Sequence, residues 1–265
     1  MSDLLVLWDV DGTLLNVGEV GGDLYEAVYL QLFGCSLEDF APMAGHTDRA
    51  IVLETLQMAG IGDPRRYVDL FLESLSKQAQ SVGDELARCG QALPGAAAAI
   101  AALAAARIPR QRGLSPASGT GAWGPPASPG SSGGPGDPGQ IRQSVLSGNV
   151  RQLAEVKLAA VGLREGLDMC IGAYGDDHEE RAELVHVARR RAEAVHGRGP
   201  GTFAGVATVV VGDTPLDIEA ALSAGARPVG VTTGGYLEAD LEAAGADVVL
   251  RDLSDTGAVL KALLA

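Results

Sequence analysis

Aromatic residues make up only 4% of this 265-residue chain. An interior so poor in rings must be filled by aliphatic and small side chains, with helices and strands packed closely, and the 46% apolar share and 36 glycines fit that picture. Cysteine is also scarce: Cys35, Cys89 and Cys170 lie far apart and form no Cys-x-x-Cys pair. An odd count without a signal peptide points to reduced thiols and a cytoplasmic protein. The opening MSDLLVLWDV carries no basic n-region, and the longest membrane candidate, the Ala-rich stretch 96–106, is too short to span a bilayer. Basic residues are outnumbered, 20 Lys and Arg against 34 Asp and Glu, for a formal net charge of -14. Such a surface repels phosphate backbones and argues against nucleic acid or membrane as partner. An anionic substrate would require a metal ion and a few placed cations to reverse the local field.

What is present is a strand–helix alternation. Leu4–Trp8 (LLVLW) reads as a strand buried on both faces and ends in the polar turn Asp9-Val10-Asp11-Gly12-Thr13. Residues 18–90 then read mostly as helices, with apolar positions at helical spacing and Gly34 and Gly60 at plausible C-caps. After an Ala-rich helix, residues 108–140 are mostly Gly, Pro and Ser, lose all apolar period and read as a disordered insert. Beyond them IRQSVLS, LDMCIGAY, ATVVVGD, PVGV and DVVL read as strands alternating with helices. The pattern predicts an α/β fold, a Rossmann-like doubly wound parallel sheet, with a small helical cap domain (18–90) inserted after the first strand into a core of residues 1–17 and 91–265.

Ligands of such sheets bind at the C-terminal strand ends. Three polar clusters fall there: Asp9-Val10-Asp11, Ser147-Gly148-Asn149, and Asp213 with Asp217. Two carboxylates straight after a buried strand are costly unless neutralised, and Mg²⁺ with oxygen ligands would do so. Asp9 could attack phosphorus and Asp11 could protonate the leaving oxygen, although the same residues also make an ordinary Asx turn. Asp213 could complete the cation's ligand set, whereas Asp217 also suits a helix start. The Ser147 hydroxyl and the backbone N–H groups around Gly148 could hold phosphate oxygens.

Taken together and in this order, DVDGTL, VLSGN and VVGDTPLD resemble the haloacid dehalogenase-like superfamily of hydrolases, and more narrowly its phosphoglycolate-phosphatase-like branch. The likeness spans nearly the whole chain outside residues 108–140. It implies that Asp9 is the nucleophile, Asp11 the general acid/base, Ser147 a phosphate contact, and Asp213 and Asp217 part of a magnesium site with Asp9 and the Asp11 carbonyl, Asp217 standing behind the direct ligands. It also implies a basic residue, usually Lys, that holds nucleophile and phosphate. The familiar Lys-Pro pair is missing here. Arg181 is the nearest cation, and Lys157, well inside an earlier helix, is a rival expected to lie too far from the strand ends. In capped relatives a loop such as Gly45–Arg49 faces the substrate, so His46 and Arg49 are candidates to select it, against a plain helix start capped by Thr47 or Asp48. The acidic run Asp176–Glu180 reads as a helix N-terminus rather than a second metal site.

The function so predicted is Mg²⁺-dependent hydrolysis of a small phosphomonoester, of phosphoglycolate or sugar-phosphate type, by a monomer or homodimer. The alternatives are a phosphosugar mutase on the same scaffold and a non-catalytic protein binding Mg²⁺ or a phosphorylated ligand.

Overall fold

The computed structural model describes residues 3–18, 20–37, 39–106 and 139–265. Strand β1 (Leu4–Trp8) leads to a two-residue strand β2 (Leu15–Asn16) and four helices, α1 (Val20–Phe33), α2 (Asp48–Met58), α3 (Arg65–Gln78) and α4 (Gly83–Cys89). Strand β3 (Gln91–Ala92) pairs back on β2 in antiparallel register, Leu15 facing Ala92. The helical insertion therefore leaves and re-enters the core at one point. Then follow α5 (Ala96–Ala105), β4 (Ile141–Val145), α6 (Arg151–Ala160), α7 (Arg181–Val195), β5 (Thr208–Gly212), α8 (Pro215–Ser223), β6 (Arg227–Val231), α9 (Glu238–Ala244), β7 (Val248–Leu250) and α10 (Thr256–Leu264).

Five parallel strands form the central sheet in the order β4-β1-β5-β6-β7. Alternation along the strands divides the core in two. Leu4, Val6 and Trp8 of β1, with Val209 and Val211 of β5, pack with α5, α6, α10 and the helical insertion. Leu5, Leu7 and Val210 pack on the other face with α7 and α8. Helices thus cover both faces, as expected of a doubly wound sheet. Chain order reverses direction at β1, which lies between β4 and β5, and this is the switch point where such sheets bind ligands.

The helical insertion has the predicted caps. Thr47 is the N-cap of α2, its hydroxyl accepting from the Ala50 N–H at 3.2 Å, and Gly34 and Gly60 follow α1 and α2. Two expectations need correction. LDMCIGAY is not a strand: it meets the sheet at a single bridge, Leu146 to Ala173. Asp168 explains why, because its carboxylate accepts the Cys170 N–H at 3.1 Å and its carbonyl accepts the Ser144 hydroxyl at 2.7 Å, which bends the chain into turns. Helix α4 and the β2–β3 pair were not anticipated. The insert expected at 108–140 lies, but for Gly139 and Gln140, outside the described residues. Among the described residues no helix is long and apolar enough to cross a membrane.

Candidate active site

The site grows from the end of β1. The Asp9 N–H donates to the Val211 carbonyl at 2.8 Å, fixing the residue between β1 and β5 with its carboxylate buried. Gly12 then turns the chain with φ 81°. Only glycine fits there: a Cβ on Gly12 would stand 2.4 Å from Asp213 Oδ2. Asp213, at the end of β5, accepts from the Thr13 hydroxyl at 3.0 Å. Asp217 sits in the first turn of α8, where it forms a reciprocal capping box with Thr214. It is both the helix-start carboxylate and a member of the site.

Asp9, Asp213 and Asp217 each bring a carboxylate oxygen within 4.8 Å of the others, all three buried. Burial, then repulsion from Asp217, pushes Asp9 well above the ordinary carboxylate range despite the opposing pull of Arg181. Asp213 is raised to about 7, again by burial first and Asp217 second. Three crowded, desolvated carboxylates form a site with too much negative charge, and a hard divalent cation with oxygen ligands fits that donor set.

Both candidate cations reach the site. Arg181, at the first position of α7, places Nη2 2.6 Å from Asp9 Oδ1 and 2.5 Å from Asp217 Oδ1. Burial works against its charge, but Asp217 and Asp9 outweigh that and hold the guanidinium protonated. Lys157 does not lie too far away, contrary to expectation. Its buried Nζ sits 2.8 Å from both oxygens of Asp11 and 2.9 Å from Asn149 Oδ1. Asn149, placed by the sequence in the strand-end cluster but given no role of its own, also donates to Asp11 Oδ2 at 2.5 Å and to the Ser147 hydroxyl oxygen at 3.1 Å. The two basic residues therefore divide the work: Arg181 holds Asp9, and Lys157 with Asn149 holds Asp11.

A cavity of about 740 Å³ opens over these groups, lined by Asp9, Asp11, Gly148, Lys157, Arg181 and Asp213 on the core side. Whereas Gly148 lines it, Ser147 is fully buried and does not. Its hydroxyl oxygen accepts from Asn149, which leaves the hydroxyl proton to donate. Of the two cap candidates, His46 lines the cavity and Arg49 does not. Arg49 turns away to Asp69 at 2.8 Å and to the Asp176 carbonyl at 3.2 Å. In the acidic run, Asp177 forms a two-pronged pair with Arg191 at 2.7 Å and Glu179 pairs with Arg65 at 2.5 Å. Among the described residues the run contributes no group of potential metal ligands.

Asp48, considered in the sequence only as a helix cap, fastens the insertion to the core. Its buried carboxylate accepts the Tyr25 hydroxyl at 2.7 Å and the Val150 N–H at 2.6 Å, and its own N–H donates to the Gly148 carbonyl at 2.6 Å. Burial raises this acid to about 6. A carboxyl raised on folding adds stability below its unfolded value and loses it as pH rises through the folded value. Asp48 should therefore cost the protein about 3 kcal/mol between pH 3.8 and a pH above 6. Denaturant unfolding of wild type and Asp48→Asn across that window checks this: the variant should lose that part of the slope, and equal slopes would refute it.

Residues 183–256 match a family model described as HAD-hydrolase-like. Comparison with curated proteins gives no match. Among solved structures, CbbY from Rhodobacter sphaeroides in complex with phosphate superposes with a TM-score of 0.61 at 18% identity, covering 98% of this chain and 100% of that one. A predicted phosphatase from Clostridium acetobutylicum gives 0.59 at 15% identity over 98% and 100% of the two chains. A putative beta-phosphoglucomutase from Bacteroides vulgatus gives 0.54 at 14% over 99% and 89%. The fold is that of the haloacid dehalogenase-like proteins. The family match, over the stretch that holds VVGDTPLD, together with the fold, bears out the likeness to that superfamily of hydrolases.

Proposed function

We propose that the protein is a Mg²⁺-dependent phosphatase acting on small phosphomonoesters through an aspartyl-phosphate on Asp9, and that residues 18–90 serve as its cap. The observation that carries this reading is the convergence of Asp9, Asp11 and Asp213 with two buried cations at one end of the sheet. Asp9 and Asp213 with the Asp11 carbonyl would hold the ion, and Asp217 would stand behind them, its oxygens already engaged by Arg181 and by the Thr214 N–H and hydroxyl. When bound, the ion supplies positive charge to the phosphoryl oxygens and to the crowded carboxylates. Arg181 orients Asp9 for attack on phosphorus. The phosphorus–oxygen bond to the alcohol breaks, and Asp11, held by Lys157 and Asn149, delivers a proton to the leaving oxygen. Asp11 then takes a proton from the water that cleaves the aspartyl-phosphate. The Gly148 N–H receives a phosphate oxygen, the Ser147 hydroxyl holds Asn149 behind it, and His46 forms part of the wall around the alcohol. Cys35, Cys89 and Cys170 are all exposed and unpaired, which supports a cytoplasmic setting.

Release of inorganic phosphate from p-nitrophenyl phosphate tests the reading. Turnover is expected with Mg²⁺ and should fall to background in EDTA. Equal rates in both would remove the metal from the scheme. No turnover by folded, Mg²⁺-loaded protein would remove the phosphatase.

A further inference from the structure

The charges around the cavity restrict the alcohol half of the substrate. On the core side, among the described residues, Asp9, Asp11, Asp213 and Asp217 face only Lys157 and Arg181, and each of these cations is already paired with those carboxylates. With a divalent ion bound and Asp11 protonated as the acid, this set carries a single net positive charge, which a phosphomonoester dianion more than consumes. A second anionic group on the substrate would need its own cation from the cap side.

Among the described residues that line the cavity, the cap side has none to give. No Lys or Arg stands anywhere before Arg49 in the chain, so the whole segment from β1 to α2 is without a permanent cation. Its described residues lining the cavity include the apolar or aromatic Val17, Tyr25, Phe40 and Met43 and the acidic Asp23 and Glu26. Arg49 is drawn off by Asp69 and Asp176. His46 is the one cap residue of the described lining able to carry positive charge, and its Nδ1 already lies 3.0 Å from the Ala44 carbonyl. A carboxylate or second phosphate placed against this wall would find only neutral donors, the Asn16 amide and the backbone N–H groups of Gly21 and Gly22 in the first turn of α1, with no cation, and would face Asp23 and Glu26.

We infer that the substrate is a phosphomonoester whose only anionic group is the phosphoryl group transferred, the leaving alcohol being uncharged or cationic and partly apolar. The inference rests on the phosphatase reading above and narrows it. It selects against phosphoglycolate, whose leaving group bears a carboxylate, and against sugar bisphosphates of the kind a mutase must hold.

Three esters of similar size isolate the charge: phosphoglycolate, 2-hydroxyethyl phosphate and phosphoethanolamine. With Mg²⁺, kcat/KM for the last two should exceed that for phosphoglycolate by at least about tenfold, the equivalent of one unpaired group. Calorimetric titration of the Asp11→Asn protein with the same esters should give the same order in Kd. In Glu26→Lys the gap should shrink severalfold, because the wall gains a cation. Phosphoglycolate turned over or bound as well as the others would overturn the inference. p-Nitrophenyl phosphate keeps the two readings apart: its turnover alongside a preference for phosphoglycolate sinks only this inference, whereas its failure with Mg²⁺ sinks the phosphatase itself.

Discussion

Asp9→Asn should abolish Mg²⁺-dependent phosphate release, by at least about a thousandfold in kcat, while the protein remains folded. The amide has nearly the shape of the carboxylate and can still accept from Arg181, but it cannot form the acyl phosphate. The same change removes one of three mutually repelling buried acids. Burial and Asp217 hold Asp9 far above its ordinary range, so the neutral side chain relieves a cost that the native protein carries for its chemistry. In EDTA at neutral pH the variant should therefore be at least as stable as wild type by denaturant unfolding. A variant that kept substantial turnover would exclude Asp9 as nucleophile. One that lost activity only by unfolding would instead give Asp9 a structural role.

The second large effect concerns Arg181. Its guanidinium is buried between Asp9 and Asp217, and its Nη1 donates to the Gly45 carbonyl at 3.2 Å. Arg181→Ala leaves those carboxylates together without their counter-charge, and breaking a buried pair in this way costs about 3–5 kcal/mol. The contact with Gly45 ties the loop before α2 to the core, so cap placement should suffer as well. Mg²⁺ should recover part of the lost stability, because an ion at the three-carboxylate cluster substitutes for some of the missing positive charge. Unfolding curves with Mg²⁺ and with EDTA test both statements. A loss below about 1 kcal/mol in EDTA would mean that the pair contributes little.

Most of this site can be read from the sequence because its residues follow buried strands closely. Asp9 and Asp213 lie within a residue of the ends of β1 and β5, and parallel pairing of the two strands brings them together. Lys157 was misjudged because its distance was counted along the helix. It lies six positions into α6, roughly 9 Å from the start at 1.5 Å per residue. Helical side chains, however, lean toward the N-terminus, and the four methylenes of Lys carry Nζ back to Asp11. Asp48 escaped notice as a link between insertion and core for a different reason. In the sequence it is an acidic residue in the first turn of a helix, and its partners Tyr25 and Val150 are 23 and 102 positions away. The strand expected over LDMCIGAY failed because an apolar run does not reveal that Asp168 will satisfy the backbone locally.

The short β2–β3 ladder bears on how such an enzyme can change its clientele. Leu15 and Ala92 face each other across it, so the chain between them hangs from a single doorway. The strand order, the three buried carboxylates and Arg181 all belong to the part of the chain outside that doorway. His46, Asp48 and the apolar and acidic wall all belong to the part inside it. On the phosphatase reading proposed above, chemistry and choice of substrate are carried on separate stretches of chain. A different helical module grafted between Leu15 and Ala92 would bring a new chamber to an unchanged reaction centre, provided it supplied its own equivalent of the Asp48 fastening.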